Sequence, residues 1–137
     1  MNLNLTDDEK EILLDIENTK RFPVVRLEVH NSEQKELINT ALNYVRITDV
    51  NDSMERVKAR GAALKNLMEQ GMIFIDYTVC IWVSGDYDVY YKSKIYELLC
   101  HTVMENAKQP NTVFNLPYMR KGYVELTRKG QKIATTL

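Results

Sequence analysis

The sequence predicts an α+β domain, and three observations carry the prediction. Thr6 followed three residues later by Glu9 is a capping box, which opens a helix. Ile73, Ile75, Tyr77, Val79, Ile81 and Val83 alternate strictly, as the side chains of a strand do. Further helix-like and strand-like segments follow one another along 137 residues with no repeat or low-complexity tract. That length is one domain, and 45% hydrophobic residues are enough for a core.

In the first helix Ile12, Leu13 and Ile16 form the apolar stripe, and Leu5 before the cap is placed to pack back on it. Pro23 bars the helix from continuing. VVRLEV (24–29) reads as a short strand. Asn31 or Ser32 then caps a second helix, whose buried side is Leu37, Ile38, Ala41, Leu42 and Val45. A third helix runs over about 51–70, with Val57, Gly61, Leu64 and Met68 inward and Lys58, Lys65 and Asn66 outward. Gly71 is its C′ residue. The strand from Met72 to Val83 comes next. Ser84-Gly85-Asp86 then turns a hairpin into Tyr87, Val89 and Tyr91. A fourth helix, about 93–107, turns Ile95, Leu98, Leu99 and Val103 inward. Tyr123 to Leu126 is a last strand, and Thr127 opens a final helix.

Composition narrows the function classes. The net charge is −1 and the pI about 6.1, well below the value of about 9 common in dedicated nucleic-acid binders. Charge is uneven, however. Residues 1–19 hold six acids and one base, whereas residues 119–137 hold five bases and one acid. Local basic surface therefore remains available. Cys80 and Cys100 read as buried free thiols. The start of the chain lacks the pattern of a signal peptide and no apolar stretch reaches about 18 residues, so a cytoplasmic or nuclear protein off the membrane is expected.

Known catalytic and ligand-binding patterns are weak. Cys100 and His101 are adjacent on a helix and diverge by about 100°. His30 and Cys80 lack ligand spacing, and Asp86 and Asp88 lack the rest of a calcium loop. Ser32 and Lys35 fit Ser-x-x-Lys without its companion motifs, so Ser32 reads as a helix cap. No metal, no cofactor and no catalytic residue is assigned, and a small enzyme with an unseen site is the weakest reading. Tyr87, Tyr90, Tyr91 and Tyr96, with Trp82 nearby, read first as packing and second as an interface.

Two pieces carry a family resemblance. AALKNLMEQGMI (62–73) is a helix ending in Leu-x-x-x-Gly before an apolar strand. GYVELTRKGQKIA (122–134) is a strand whose Leu-Thr opens a helix containing Lys-Gly. Together they resemble the winged-helix DNA-binding domains of bacterial regulators, of the multiple-antibiotic-resistance and phenolic-acid-repressor types. The resemblance implies a winged helix-turn-helix; the hairpin and helix read at about 84–111 are an insertion between the two wing pieces, where a usual wing is far shorter. It also implies a recognition helix at about 51–70 and a basic wing near 118–122. Arg56, Lys58, Arg60, Lys65 and Asn66 on that helix, with Arg120 and Lys121 on the wing, are then the expected contacts to double-stranded DNA. Such a protein is expected to regulate transcription as a homodimer, with the apolar stripe of the inserted helix at the dimer interface. The alternative is a winged-helix protein-interaction module without DNA binding. The acidic first helix favours it.

Overall fold

The computed structural model describes residues 4–137, which form five α-helices and one four-stranded antiparallel sheet. α1 (Asp7–Asn18) is followed by β1 (Pro23–His30) and β2 (Ile38–Val45), then by α2 (Met54–Glu69) and β3 (Ile73–Asp76). A 3₁₀ turn (Ser84–Tyr87) leads into the single-turn helix α3 (Asp88–Tyr91). α4 (Lys94–Ala107), β4 (Leu116–Leu126) and α5 (Arg128–Ala134) complete the chain.

Strand order is β2-β1-β4-β3, so the two central strands come from distant parts of the sequence. β1 pairs with β4 over its whole length, from Pro23–Tyr123 to His30–Leu116. β3 covers only the last four residues of β4. The sheet therefore has a near end, at Pro23, Val45, Ile73 and Leu126, and a far end, at His30, Ile38 and Leu116.

Each face of the near end is closed by its own core. On the first face Val24, Ile73 and Val124 pack against Ile12, Leu13 and Ile16 of α1, Leu64 and Leu67 of α2, and Ile133 of α5. On the second face Val25, Leu27 and Met119 pack against Tyr87, Tyr90 and Ile95. α2 serves both cores, with Val57 in the second and Ala63, Leu64 and Leu67 in the first.

The first helix starts at the predicted Thr6, whose hydroxyl accepts a hydrogen bond from the Glu9 amide at 3.1 Å and donates one to the Glu9 carboxylate at 3.2 Å. Leu5 packs on the first core. Gly71 has φ +74°, as a left-handed C′ residue requires. Lys58, Lys65 and Asn66 are exposed on α2, while Val57, Gly61 and Leu64 are buried. Leu67 is buried more deeply than Met68.

The two pieces of the family resemblance come together in space. Ile73 pairs with Leu126, and the Thr127 amide donates to the Met72 carbonyl. Thr127 caps α5 by accepting from the Gly130 amide at 3.1 Å. A Cβ on Gly130 would fall 1.9 Å from the Met72 carbonyl oxygen, so only glycine lets α5 cross the start of β3 so closely.

Four expectations about elements need correcting. The predicted second helix is strand β2, preceded by a loop. Asn31 Oδ1 accepts from the Glu33 and Gln34 amides, which closes a turn where a helix would have begun. The Ser32 amide donates to Asn115 and Ser32 caps no helix. The helical spacing has its own cause. β2 breaks register with β1 twice, and the one residue inserted between Val45 and Leu42 places these two, three apart, opposite Val25 and Leu27 on one face. Tyr44, between them, has φ +55°. A bulged strand thus mimics an i, i+3 pattern.

The strand predicted from Met72 to Val83 ends at Asp76. There Asp76 Oδ1 accepts from the Thr78 amide and hydroxyl, and the chain leaves the sheet. The predicted hairpin at Ser84-Gly85-Asp86 is the 3₁₀ turn leading into α3. β4 begins at Leu116 instead of Tyr123, so Arg120 and Lys121 lie mid-strand beside β1 and not at a wing tip. Since β2 stands where the second helix was expected, α2 is not preceded by the partner helix of a helix-turn-helix. The inserted region is part of the second core through Tyr87, Tyr90 and Ile95.

Candidate functional site

The seven residues expected to contact DNA divide into two groups. Lys58, Lys65 and Asn66 project from α2 into solvent. The other four are engaged within the molecule. Arg56 meets Asp8 at 2.9 Å and Glu11 at 3.7 Å, both on the acidic α1 that packs beside α2. Arg60 donates to Asp52 at 2.6 Å and to the Arg46 carbonyl and Thr48 hydroxyl at 3.2 Å each, tying the 46–52 loop to the helix. Burial pushes the Asp52 carboxyl up, but hydrogen bonds from the Thr48 amide and Arg60 outweigh it and hold the group below the usual carboxylate range.

Arg120 belongs to a constellation on the first face of the sheet, at its far end. Even-numbered residues of β1 point to this face, and beyond Val24 they are Arg26, Glu28 and His30. Across the ladder Arg120 lies opposite Arg26, and Tyr118 opposite Glu28. The Glu28 side chain is 1% exposed and accepts four hydrogen bonds. Arg26 Nε and Arg120 Nε reach one oxygen at 2.8 Å each. His30 Nε2, at 2.8 Å, and an Arg120 Nη, at 3.1 Å, reach the other. Burial alone would raise the Glu28 carboxyl, but the bonds from Arg120, His30 and Arg26 overcome it and hold the group at about 2. His30 stacks on the Tyr118 ring at 4.3 Å, and the Arg120 guanidinium lies 5.3 Å from that ring's centre. Tyr77 borders the cluster, its ring under Arg26 at 4.8 Å.

The carboxylate is thus fully bonded, and the guanidiniums are not. Both Nη atoms of Arg26 and one of Arg120 have no hydrogen-bond partner among the described residues, and each arginine side chain stays 30% exposed. A buried anion holds two cations in fixed orientation with donors to spare, an arrangement suited to receiving a second anion. The two halves of this group are far apart in the sequence, Glu28 and Arg120 by 92 positions. The signal was present as Arg26-x-Glu28-x-His30, polar groups at period two within an apolar strand, matched by Tyr118-x-Arg120.

Lys121 points to the opposite face. Its Nζ donates to Tyr91 Oη at 2.6 Å and lies 4.9, 5.8 and 5.0 Å from the ring centres of Trp82, Tyr87 and Tyr91. The tyrosines of this region divide as well. Tyr87 and Tyr90 are buried and donate to the Gly122 and Pro23 carbonyls at 2.8 and 2.6 Å, while Tyr91 is exposed. Beside them Ile81, Trp82 and Val83 stand in solvent, with Ile81 90% exposed. This segment is anchored nonetheless. The Val83 amide donates to Tyr123 Oη, and Asp86 takes two hydrogen bonds from Arg21 and one from Tyr123.

On α4, Ile95 and Val103 are buried in the domain itself, whereas Leu98 is exposed and Leu99 is half-buried beside Leu42 and Met54. The thiols correct their expectation, since Cys80 is exposed and Cys100 half-buried. Among the described residues no group of three or more His, Cys, Asp or Glu could hold a metal ion, and no helix is long and apolar enough to cross a membrane. No family model matches the chain, and no curated protein or solved structure matches it.

Proposed function

We propose that this protein is a protein-interaction module. The observation that carries the reading is the run Ile81, Trp82 and Val83. These are three consecutive apolar residues open to solvent, Ile81 at 90% and Trp82 and Val83 at 44% and 45%, on a segment held in place by the Val83–Tyr123 and Asp86–Arg21 bonds. Interfaces favour aromatic anchors that are already ordered, because little side-chain freedom is then lost on binding. Exposed Leu98 on α4 adds a second apolar site and makes self-association part of the proposal.

The test replaces Ile81 and Trp82 by serine. A partner that copurifies with the wild-type protein, and forms a stoichiometric complex when both are purified, should lose the double variant while the variant's melting curve is unchanged. Equal binding by both forms would refute this surface. Leu98→Asp separates out self-association. Light scattering should show a wild-type dimer and a folded variant monomer; a wild-type monomer of about 16 kDa at micromolar concentration would remove the dimer.

A second reading is a homodimeric transcriptional regulator that binds double-stranded DNA through α2. It is favoured by the exposure of Lys58, Lys65 and Asn66 beside the small Ala62, and by the resemblance of 62–73 and 122–134 to winged-helix regulators. Titration of duplex DNA across a salt series tests it. Each lost phosphate contact in Lys58→Ala or Lys65→Ala should flatten the salt slope by about 0.9. Absence of wild-type binding at low salt would remove this reading.

A further inference from the structure

We propose that the open first face of the sheet is a docking site for an extended, acidic peptide segment of a protein partner. Its carboxylates would seat on the outward nitrogens of Arg26 and Arg120. The proposal deepens the interaction-module reading by naming the chemistry of a partner, at a surface separate from Ile81 and Trp82.

Charge is the first argument. Two guanidiniums surround one carboxylate, which leaves local positive charge on a chain whose net charge is −1. The donors Arg26 Nη1, Nη2 and Arg120 Nη1 are the unshared ones, and a planar guanidinium presents them in the geometry a carboxylate accepts. Pre-organisation is the second. An exposed arginine normally loses rotamer freedom when it binds, but here Glu28 has already fixed both side chains. Glu28 is therefore a positioning residue, sealed beneath the surface that would meet the ligand.

The neighbouring residues give the site a direction. Ile38 and Leu116 both pair with His30, so they share its face, and both are exposed. From Arg26 to His30 is about 13 Å along a strand. A segment of about five extended residues spans that length, with acids at the Arg26 end and apolar side chains toward Ile38 and Leu116. A single-stranded nucleic acid fits less well. Base stacking needs a free aromatic face, and the Tyr118 ring is already stacked on His30 at 4.3 Å, with the Arg120 guanidinium 5.3 Å from its centre.

The test uses the full chain and a synthetic peptide, Glu-Thr-Glu-Thr-Leu-Thr-Leu, with its glutamine counterpart and oligothymidine as comparison probes. In heteronuclear NMR titrations the glutamate peptide should shift the resonances of Arg26, Arg120 and Tyr118. Its affinity should fall about tenfold in Arg26→Gln, in a protein whose melting curve confirms folding, and the glutamine peptide should bind at least about tenfold more weakly. Tyr118→Ala, at a half-exposed ring, should also weaken binding, and this variant keeps all of the charged partners. Equal binding of both peptides, an unaffected Arg26→Gln, or no saturation at millimolar peptide would overturn the proposal. So would tighter binding of oligothymidine at the same resonances, which would make this a nucleic-acid surface. The Ile81→Ser/Trp82→Ser protein should bind the glutamate peptide normally, so this site and the apolar run can fail independently.

Discussion

Val24 and Glu28 stand four residues apart on the same face of β1, and both side chains are almost wholly shielded from water. Val24 is covered by a layer of helices, α1, α2 and α5, whose apolar stripes meet over the near end of the sheet. Glu28 lies beyond that layer and is covered by Arg26, Arg120 and His30, the groups that bond it. The first kind of burial is driven by removing apolar area from water and leaves nothing for a partner. The second is held together by charge-assisted hydrogen bonds and leaves cations facing outward. One strand thus passes from apolar core to a charged, partly exposed surface within four residues.

The two ends should respond differently to substitution. The largest effect is expected at the closed end, where Leu64→Ala should destabilise by about 2–5 kcal/mol in urea titration, because Leu64 is fully buried in the first core. A change under about 0.5 kcal/mol, typical of a surface site, would mean that the helix layer does not seal this end. At the open end Glu28→Gln should cost less, about 1–3 kcal/mol. The orphaned guanidiniums can still reach water, which softens the penalty for breaking a buried pair.

Acid sharpens the contrast. The folded Glu28 carboxyl is held at about 2, below its ordinary value of 4.5. Its ionised form therefore stabilises the fold fully above about pH 5, and that contribution is lost as pH falls toward 2. The stability gap between wild type and Glu28→Gln should be widest near neutrality and close over that window, whereas the Leu64→Ala gap should persist. A gap independent of pH would show that the carboxylate's charge is not what holds the far end. The smallest effect belongs to Lys58→Ala, expected within about 0.5 kcal/mol on an exposed helix face; a loss above about 1 kcal/mol would place Lys58 in an unrecognised contact.

The closed end was largely legible in the sequence, because its signals are local. Thr6 with Glu9, Gly71 at positive φ, and Thr127 with Gly130 each act within one turn of a helix and need no distant partner. β2 was misread because one of its bulges spaced Leu42 and Val45 like helix neighbours, and only pairing with β1 reveals their register. The far-end cluster joins Glu28 to Arg120, 92 residues away. Nothing local in the sequence sets the β1–β4 ladder that brings them together. The internal ion pairs of Arg56, Arg60 and Arg120, three of the expected DNA contacts, are hidden from the sequence for the same reason, since their carboxylate partners become visible only once α1, the 46–52 loop and β1 are in place.

The central position of β4 has a consequence in time. During synthesis, β1 and β2 emerge together and can form only a two-stranded hairpin, which is marginal in water by itself. β1 must then wait for roughly ninety further residues before Arg120 reaches Glu28, about 5–18 seconds at a ribosomal pace of 5–20 residues per second. Throughout that delay one edge of an apolar strand remains unpaired. The nascent chain is therefore at its most aggregation-prone before β4 is made. Slowing translation across residues 77–115 should lower the yield of folded protein more than slowing it after Leu126.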